Sequence, residues 1–211
     1  MFVDIHSHKF AVDDIGTVIY NVPIAKADTI FCSDMKGFFS VGFHPWYLDV
    51  YSAELMDMMK MWTDDSRLIA IGECGLDKNS KFDIERQIEI FEKQINLSES
   101  KHKPLIIHCV GCYNELFDLR KRRKPQQLWI IHGFRGKPQL AEQALKAGCS
   151  LSFGEHFNED SVRITPIDNL YIETDESDMP IGDIYEKIAM VKKCAVEDLC
   201  AGRELLKKHS L

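Results

Sequence analysis

The sequence contains no run of the roughly 18 apolar residues that a membrane-spanning helix requires, although 45% of its 211 residues are hydrophobic. Its first six residues already read as a strand, so the basic and apolar segments of a signal peptide are missing there. These absences argue against membrane-spanning and secreted classes of protein. We therefore expect a cytoplasmic protein that has no membrane partner.

The cysteines do not follow the pattern of a disulfide-rich or zinc-finger domain. There are seven of them, an odd number, and they are scattered along the chain. Cys109 and Cys112 have CxxC spacing, but no second CxxC completes a zinc site. We interpret the cysteines as free thiols of a reducing compartment. A redox or structural-zinc role for Cys109 and Cys112 is the alternative.

The chain has fewer basic than acidic residues. It contains 26 Lys and Arg residues and 33 Asp and Glu residues, which gives a net charge of −7. This balance argues against broad attraction to duplex nucleic acid, but it allows a local cleft that binds phosphate. The one basic run, residues 120–124, is expected to follow a helix and precede a strand. We interpret it as a solvated surface cluster, with a nucleic-acid patch as the alternative.

Eight short apolar runs predict eight strands. Most are continuous rather than alternating, which is typical of strands that are covered on both faces in a parallel sheet. The predicted strands are residues 2–5, 17–22, 38–43, 68–73, 104–108, 128–132, 149–154 and 170–175. No GxGxxG motif follows the first strand, which argues against a dinucleotide-binding sheet.

Helical patterns separate the later strands. Ser52 is a candidate N-cap, and Pro138 and Gly148 bracket another helix. The front of the chain differs, because residues 9–16 are too few for a full helix and residues 23–37 hold only one apolar scrap. Alternating strands and helices predict an α/β fold, namely a distorted (β/α)8 TIM-like barrel with reduced early helices. We expect one domain over residues 1–211.

Metal-capable side chains fall at or just after five of the predicted strand ends. In a barrel these ends converge on one face, where the active site lies. A lone histidine at a strand end is more often structural, and a lone carboxylate there is often a helix cap, but their coincidence at five ends favours a metal site. Four histidines and two carboxylates can hold two divalent ions. The candidate ligands are His6, His8, Glu73, His108, His132 and Asp175.

Six stretches carry a resemblance to a known family. They are DIHSH at 4–8, VGFHPW at 41–46, IGECGLD at 71–77, KPLIIH at 103–108, IHGFRG at 131–136 and IETD at 172–175. In this order they resemble the TatD family of metal-dependent hydrolases. The resemblance implies a TIM-like barrel with two divalent ions, which we expect to be Zn, Mn or Mg. It also implies hydrolysis of DNA by metal-activated water, in the manner of a 3′-5′ exonuclease.

The resemblance further implies how the ligands are shared. One ion would be held by His6, His8 and Asp175, the other by His108 and His132, with Glu73 as the bridge. We expect Asp175, Glu73 and His44 to be the catalytic residues, with Asp175 as the general base.

Residues outside the ligand set are expected to bind the substrate. His44 is a candidate for the substrate phosphate or the leaving group, although it could instead secure the turn before Pro45 and Trp46. Family members usually carry an arginine at the position of Val110, and we expect Arg135 to compensate for its loss.

Two other functions remain open on the sequence. A barrel and its ligands do not fix the bond that is cleaved, so a small amide, ester or lactone is an alternative substrate. A non-catalytic metal-binding protein is a second alternative, and the complete ligand set counts against it. We expect DNA or a small phosphoester as the substrate and a monomer as the active form.

Overall fold

The computed structural model describes residues 2–9 and 16–209. In chain order the strands are β1 Phe2–Ser7, β2 Gly16–Val22, β3 Phe38–Val41, β4 Leu68–Asp77, β5 Leu105–Val110, β6 Trp129–Ile131, β7 Ser150–Phe153 and β8 Leu170–Ile172. The α-helices are α1 Ala27–Phe31, α2 Ala53–Trp62, α3 Ile84–Lys101, α4 Tyr113–Arg123, α5 Pro138–Lys146, α6 Glu159–Ile164, α7 Ile181–Lys192 and α8 Ala201–His209. Within the described ranges, none of these helices combines the length and the apolar composition that crossing a membrane takes.

The chain folds as two compact units. The first unit contains residues 1–20 and 130–211, and the second contains residues 21–129. The strand pairs resolved within each unit are all parallel. The eight predicted strands are therefore all present, and the α/β class is confirmed.

In the first unit the last strand segment lies against the first. The backbone N–H of Asp175 donates to the carbonyl of His6 at 2.9 Å, and that of His8 donates to the carbonyl of Asp175 at 3.1 Å. Ser7 and Asp175 form an isolated parallel bridge. A sequential parallel sheet whose last segment meets its first strand is the arrangement that barrel closure requires.

The core of the first unit is formed by strands and the helices that cover them. Val3 and Ile5 of β1 are fully buried, as are Leu151 and Phe153 of β7. From α7, the hydroxyl of Tyr185 donates to the carbonyl of Val3 at 2.9 Å. This contact satisfies a buried phenol and fixes α7 on β1.

In the second unit β4 pairs with β3 on one side and with β5 on the other. All ten residues of β4 are buried. Gly75 has φ +136°, and a Cβ on it would lie 2.1 Å from the carbonyl oxygen of His108. Only glycine allows β4 to run this close to β5, which brings the polar residues of the two strands together.

Helix α3 holds the strand ends of the second unit. Asp83 caps it by accepting from the backbone N–H of Arg86 at 2.7 Å. The buried face of α3 is mostly apolar, but two glutamines also occupy core positions. Gln87 bonds both backbone groups of Asp77, at 2.8 and 3.1 Å. Gln94 does the same for Phe43, at 2.7 and 3.2 Å.

Several predicted boundaries are wrong. β4 continues to Asp77, so Glu73 lies inside the strand rather than at its end, and His108 likewise lies inside β5. β8 ends at Ile172, three residues before Asp175. The basic run forms the last turn of α4 and its C-cap instead of following the helix.

The front of the chain agrees with the expectation of reduced helices in the part that can be described. The short apolar segment at 29–32 belongs to the five-residue helix α1 and its C-cap. Most of residues 9–16, where no full helix was expected, lies outside the described residues. The interpretation of residues 1–211 as one domain stays a prediction.

Candidate functional site

The first unit brings together His6, His8 and Asp175. Nε2 of His6 lies 3.7 Å from Oδ1 of Asp175, and Nε2 of His8 lies 3.5 Å from the same oxygen. The ligand atoms of the three residues all lie within 4.8 Å of one another, a geometry that could hold a metal ion. His6 is buried and His8 is exposed, so solvent reaches the cluster from the side of His8.

Asp175 is positioned by the backbone rather than by its side chain. Its N–H and C=O bond to the chain on either side of Ser7, as described for the strand closure, and Ser7 Oγ donates to its carbonyl at 3.3 Å. Its φ is +56°, a left-handed conformation that aspartate adopts more readily than most residues. The carboxylate is therefore directed by a fixed main chain.

Asp4 hydrogen-bonds to Thr174, the residue before Asp175 in the same cluster. It accepts from the hydroxyl of Thr174 at 2.6 Å and from the N–H of Thr174 at 3.1 Å. Burial raises the pKa of Asp4 to about 7, against the opposing effect of these hydrogen bonds. The sequence reasoning missed Asp4, although it lies two residues before His6 on the same face of β1.

His132 lies in the first unit beside His6, with 4.4 Å between the ring centroids. Its Nδ1 lies 3.5 Å from Oε1 of Glu173, which also accepts from the N–H of Gly133 at 2.5 Å. Burial would raise the pKa of Glu173, but the hydrogen bond and charge of His132 lower it. Glu173 is thus a buried anion that orients His132, and the sequence reasoning did not single it out.

The second unit brings together Glu73 and His108. Nδ1 of His108 lies 2.8 Å from Oε1 of Glu73. Its other nitrogen, Nε2, lies 2.8 Å from Oδ2 of Asp77. A histidine with carboxylates at both nitrogens is fixed in ring orientation, as metal-ligating histidines usually are.

Asp77 is the residue of this cluster that the sequence reasoning missed. Besides facing His108, its Oδ2 accepts from the indole N–H of Trp46 at 2.7 Å. Burial would raise the pKa of Asp77, but His108, the N–H of Asn79 and Trp46 lower it through hydrogen bonds. The available signal was spacing, because Asp77 lies four residues after Glu73 and hence on the same face of β4.

His44 completes a second metal-capable triple with Glu73 and His108. Its Nε2 lies 3.1 Å from Oε1 of Glu73. Its Nδ1 accepts from the backbone N–H of Trp46 at 3.0 Å. A nitrogen that accepts carries no proton, so the neutral ring has its proton on Nε2. In this state His44 directs its Nε2–H toward Glu73 as a hydrogen-bond donor.

The remaining predicted residues differ in their surroundings. Arg135 is exposed and lines a cavity of about 280 Å³ in the first unit that Asp175 also lines. Val110 ends β5 and is exposed. Cys109 and Cys112 are buried and form no disulfide with any described residue, and burial raises the pKa of Cys112. A protonated buried thiol is a poor nucleophile, which disfavours the redox alternative.

The six candidate ligands thus fall into two sets by unit. The first unit contains four of them, namely His6, His8, His132 and Asp175. The second unit contains the other two, Glu73 and His108. The side chains within each set lie close together. The role of Glu73 as a bridging ligand stays a prediction.

Known proteins resemble the chain in sequence. Residues 21–201 match the model of the family described as TatD related DNase. An uncharacterised metal-dependent hydrolase, YjjV of Escherichia coli K12, is 26% identical over 153 residues, which cover 68% of this chain and 59% of YjjV. The 3′-5′ ssDNA/RNA exonuclease TatD of Erwinia amylovora is 29% identical over 147 residues, covering 64% of this chain and 56% of that enzyme. The matched region therefore spans less than two thirds of these relatives.

Solved structures resemble the chain in fold. The crystal structure of YjjV from Escherichia coli superposes with a TM-score of 0.80 at 20% identity, covering 98% of this chain and 95% of YjjV. A TatD family hydrolase from Entamoeba histolytica has a TM-score of 0.76 at 17% identity, covering 97% and 96%. These likenesses confirm the TIM-like (β/α)8 barrel as the fold class. Since the family model matches most of the sequence, the chain belongs to the family of TatD related DNases.

Proposed function

We propose that this chain is a divalent-metal-dependent nuclease that hydrolyses phosphodiester bonds from the 3′ end of single-stranded nucleic acid. The observation that carries the proposal is the cluster of His6, His8 and Asp175, whose ligand atoms lie within 4.8 Å of one another. Related proteins are named metal-dependent hydrolases and a 3′-5′ ssDNA/RNA exonuclease.

The donor chemistry fits a divalent ion. Imidazole nitrogens together with carboxylate oxygens suit Zn or Mn, while Mg usually prefers oxygen ligands. We propose two ions, held by the six candidate ligands that the sequence analysis identified. A divalent ion held there would supply a Lewis acid that could polarise the phosphodiester and activate the attacking water.

Asp175 is the proposed general base. Its carboxylate is about one quarter exposed, at 27%, so water can approach it, whereas the neighbouring His6 is fully buried. Because both backbone groups of Asp175 are bonded to β1, the carboxylate keeps its orientation while it accepts a proton from water.

His44 is the proposed hydrogen-bond donor to the substrate phosphate or the leaving group. The hydrogen bond from Trp46 N–H to Nδ1 favours a proton on Nε2, and Glu73 lies 3.1 Å from that nitrogen. A neutral imidazole with a defined donor nitrogen can donate a hydrogen bond to a leaving oxygen or to a phosphate oxygen.

Arg135 is the proposed phosphate-binding residue of the first unit. It lines the same cavity as Asp175, and its planar guanidinium can donate two hydrogen bonds to one phosphate. The acidic side chains of Glu155 and Glu176 also line this cavity. They limit how much negative charge can be accommodated there.

The same acidic lining favours a second candidate function. A small amide, ester or lactone carries less negative charge than a nucleic acid strand, and a cavity of about 280 Å³ suits a small ligand. The ligand clusters would be shared by both reactions, since a polarised carbonyl and a polarised phosphoryl group make similar demands.

We further propose that the active form is a cytoplasmic monomer. None of the seven cysteines, all of which lie within the described ranges, forms a disulfide, as in proteins of reducing compartments. Gel filtration with light scattering checks the monomer, and a dimer peak at micromolar concentration would contradict it.

The test is an assay on metal-stripped protein with single-stranded DNA that carries a fluorophore at its 5′ end. We expect a ladder of products shortened from the 3′ end after Mg, Mn or Zn is added, and no products without metal. His132→Ala should lose this activity, while Lys121→Ala, on the surface of α4, should retain it. No cleavage by protein that binds two ions would contradict the nuclease and favour the small-molecule hydrolase.

A further inference from the structure

Two large aromatic side chains are left exposed beside the histidines of the second unit. Trp46 is 46% exposed and Tyr47 is 59% exposed. Their ring centroids lie 5.4 and 5.6 Å from that of His44, and Trp46 lies 6.1 Å from His108. Rings of this size normally gain from burial. Their exposure next to candidate catalytic residues suggests a partner that offers flat apolar surface.

The chain holds this aromatic pair in place while leaving it accessible. The indole N–H of Trp46 donates to Asp77, and the backbone N–H of Tyr47 donates to the carbonyl of His44 at 3.0 Å. Ser80 Oγ donates to the carbonyl of Pro45 at 2.6 Å. The turn that carries the two rings is therefore tied to the loop that follows β4, and little entropy is lost when a ligand binds to it.

The loop that follows β4 also carries a lysine, which adjoins the residue that bonds the indole of Trp46. Lys78 follows Asp77 directly, and its N–H donates to the carbonyl of Val110 at 2.9 Å. Its stem lies over Gly111, where a Cβ would come within 2.3 Å of Cδ. Any larger residue at Gly111, which also has φ +69°, would displace the lysine.

The ammonium group of Lys78 is available to a ligand. Lys81, on the same loop, pairs with Asp49 at 2.8 Å. Lys78 is exposed and forms no ion pair with any residue in ranges 2–9 and 16–209. It lines a cavity of about 520 Å³ together with Phe82 and Gly111. This volume accommodates a nucleotide.

We propose that Tyr47 and Trp46 stack on nucleobases of a single-stranded nucleic acid and that Lys78 contacts its phosphate. The inference rests on the proposed nuclease function and names the residues that position its substrate. Stacking requires base faces that are not already paired, which selects single strands over duplexes. Since the net charge is −7, attraction to phosphate depends on local cations such as Lys78.

Binding can be measured apart from cleavage. Fluorescence anisotropy of a labelled ten-nucleotide oligothymidylate with the full chain in EDTA gives Kd without hydrolysis. The same measurement with an abasic oligonucleotide of equal length removes the bases and keeps the phosphates. Tyr47→Leu keeps apolar area but removes the ring, and Tyr47→Phe restores the ring. Met61→Leu, on a side chain that is 64% exposed on α2, is the control.

We expect Tyr47→Leu to weaken binding of the oligothymidylate about 5- to 50-fold, as the loss of one stacked base implies. It should leave abasic binding unchanged, and Tyr47→Phe should bind like the natural chain. Lys78→Gln should weaken binding of both oligonucleotides and lower the salt dependence by about 0.7 in the logarithmic slope. Lys60→Gln, on the surface of α2, should do neither.

Equal affinity of Tyr47→Leu and the natural chain for oligothymidylate would overturn the stacking role. Equal loss on the abasic strand would overturn it too, because the effect would then not involve bases. These failures are distinct from failure of the nuclease proposal. A chain that binds through these residues but never cleaves contradicts only the nuclease, and a chain that cleaves with unchanged variant affinities contradicts only the aromatic pair.

Discussion

The carboxylate of Asp77 lies 2.8 Å from Nε2 of His108. Because an ionised carboxylate can only accept, this nitrogen carries the proton of the ring. The other nitrogen, Nδ1, then faces Glu73. Asp77 thereby selects which atom of His108 is offered to a metal, which is the usual task of a carboxylate behind a ligating histidine.

Asp77→Asn is expected to weaken metal binding at His108 about 10- to 100-fold. The amide keeps the shape of the side chain but loses the charge that holds the Nε2 proton. Isothermal titration of the metal-stripped protein with Mn²⁺ measures the effect. Asp57→Asn, on the exposed side of α2, serves as the matched control. An Asp77→Asn protein with the affinity of the natural chain would show that His108 needs no orienting carboxylate.

Arg135→Ala is expected to raise KM for single-stranded DNA about tenfold, with a smaller change in kcat. A guanidinium that grips phosphate in both the bound substrate and the transition state contributes uniform binding, which appears in KM. Steady-state kinetics on oligonucleotides measures the changes in KM and kcat separately. Lys137→Ala removes a neighbouring exposed cation and should change KM little. If both substitutions act alike, the effect is one of net charge rather than of a phosphate contact.

Gln94→Met is expected to reduce the free energy of unfolding by about 2–4 kcal/mol. The substitution leaves both backbone groups of Phe43 buried without a partner, and each orphaned group costs about 1–3 kcal/mol. Urea denaturation followed by circular dichroism measures the loss. Gln143→Met, at an exposed position of α5, is the control for helix propensity. A change below 0.5 kcal/mol, roughly the scatter of surface substitutions, would mean that water replaces the glutamine.

Asp65 is expected to make stability depend on pH through its pair with Arg67. The side-chain hydrogen bond from Arg67 holds the pKa of Asp65 below its ordinary value of 3.8. For a carboxylate with a lowered folded pKa, the stabilisation is complete above pH 3.8 and is lost as pH falls through the folded pKa. The pair is partly exposed, so we expect about 1 kcal/mol.

Denaturation by urea at several pH values compares the natural chain with Asp65→Asn. The difference in free energy of unfolding should be constant from pH 7 to about 5 and should shrink at lower pH. Asp57→Asn again provides the control, because Asp57 shows no ion pair among the described residues. A difference that grows as pH falls would have the wrong sign and would refute the assignment.

The strands could be predicted from sequence because their signal is local. Continuous apolar runs mark buried parallel strands whatever their neighbours are. The end of β4 was predicted four residues early because what extends it is not local. Gln87, ten residues further on, bonds the backbone of Asp77, and Gly75 allows close contact with β5. Neither contact can be read from the apolar pattern.

The histidines of the site were also predicted, since they follow or end apolar runs. The residues that orient them were missed, because their partners come from other strands. Glu173 faces His132 across 41 positions of sequence, and Asp77 faces His108 across 31. A period of two along each strand would have drawn attention to both carboxylates. Only the fold identifies which histidine each one serves.

The contacts of Asp175 with β1 have a consequence for folding. His8 and Asp175 meet across 167 positions of sequence, so their pairing closes one of the longest loops in the chain, and such contacts form late. The cluster of His6, His8 and Asp175 cannot exist in a nascent chain that has not yet released β8 from the ribosome. Metal uptake by this cluster should therefore mark the completion of folding, and synthesis intermediates should be inert.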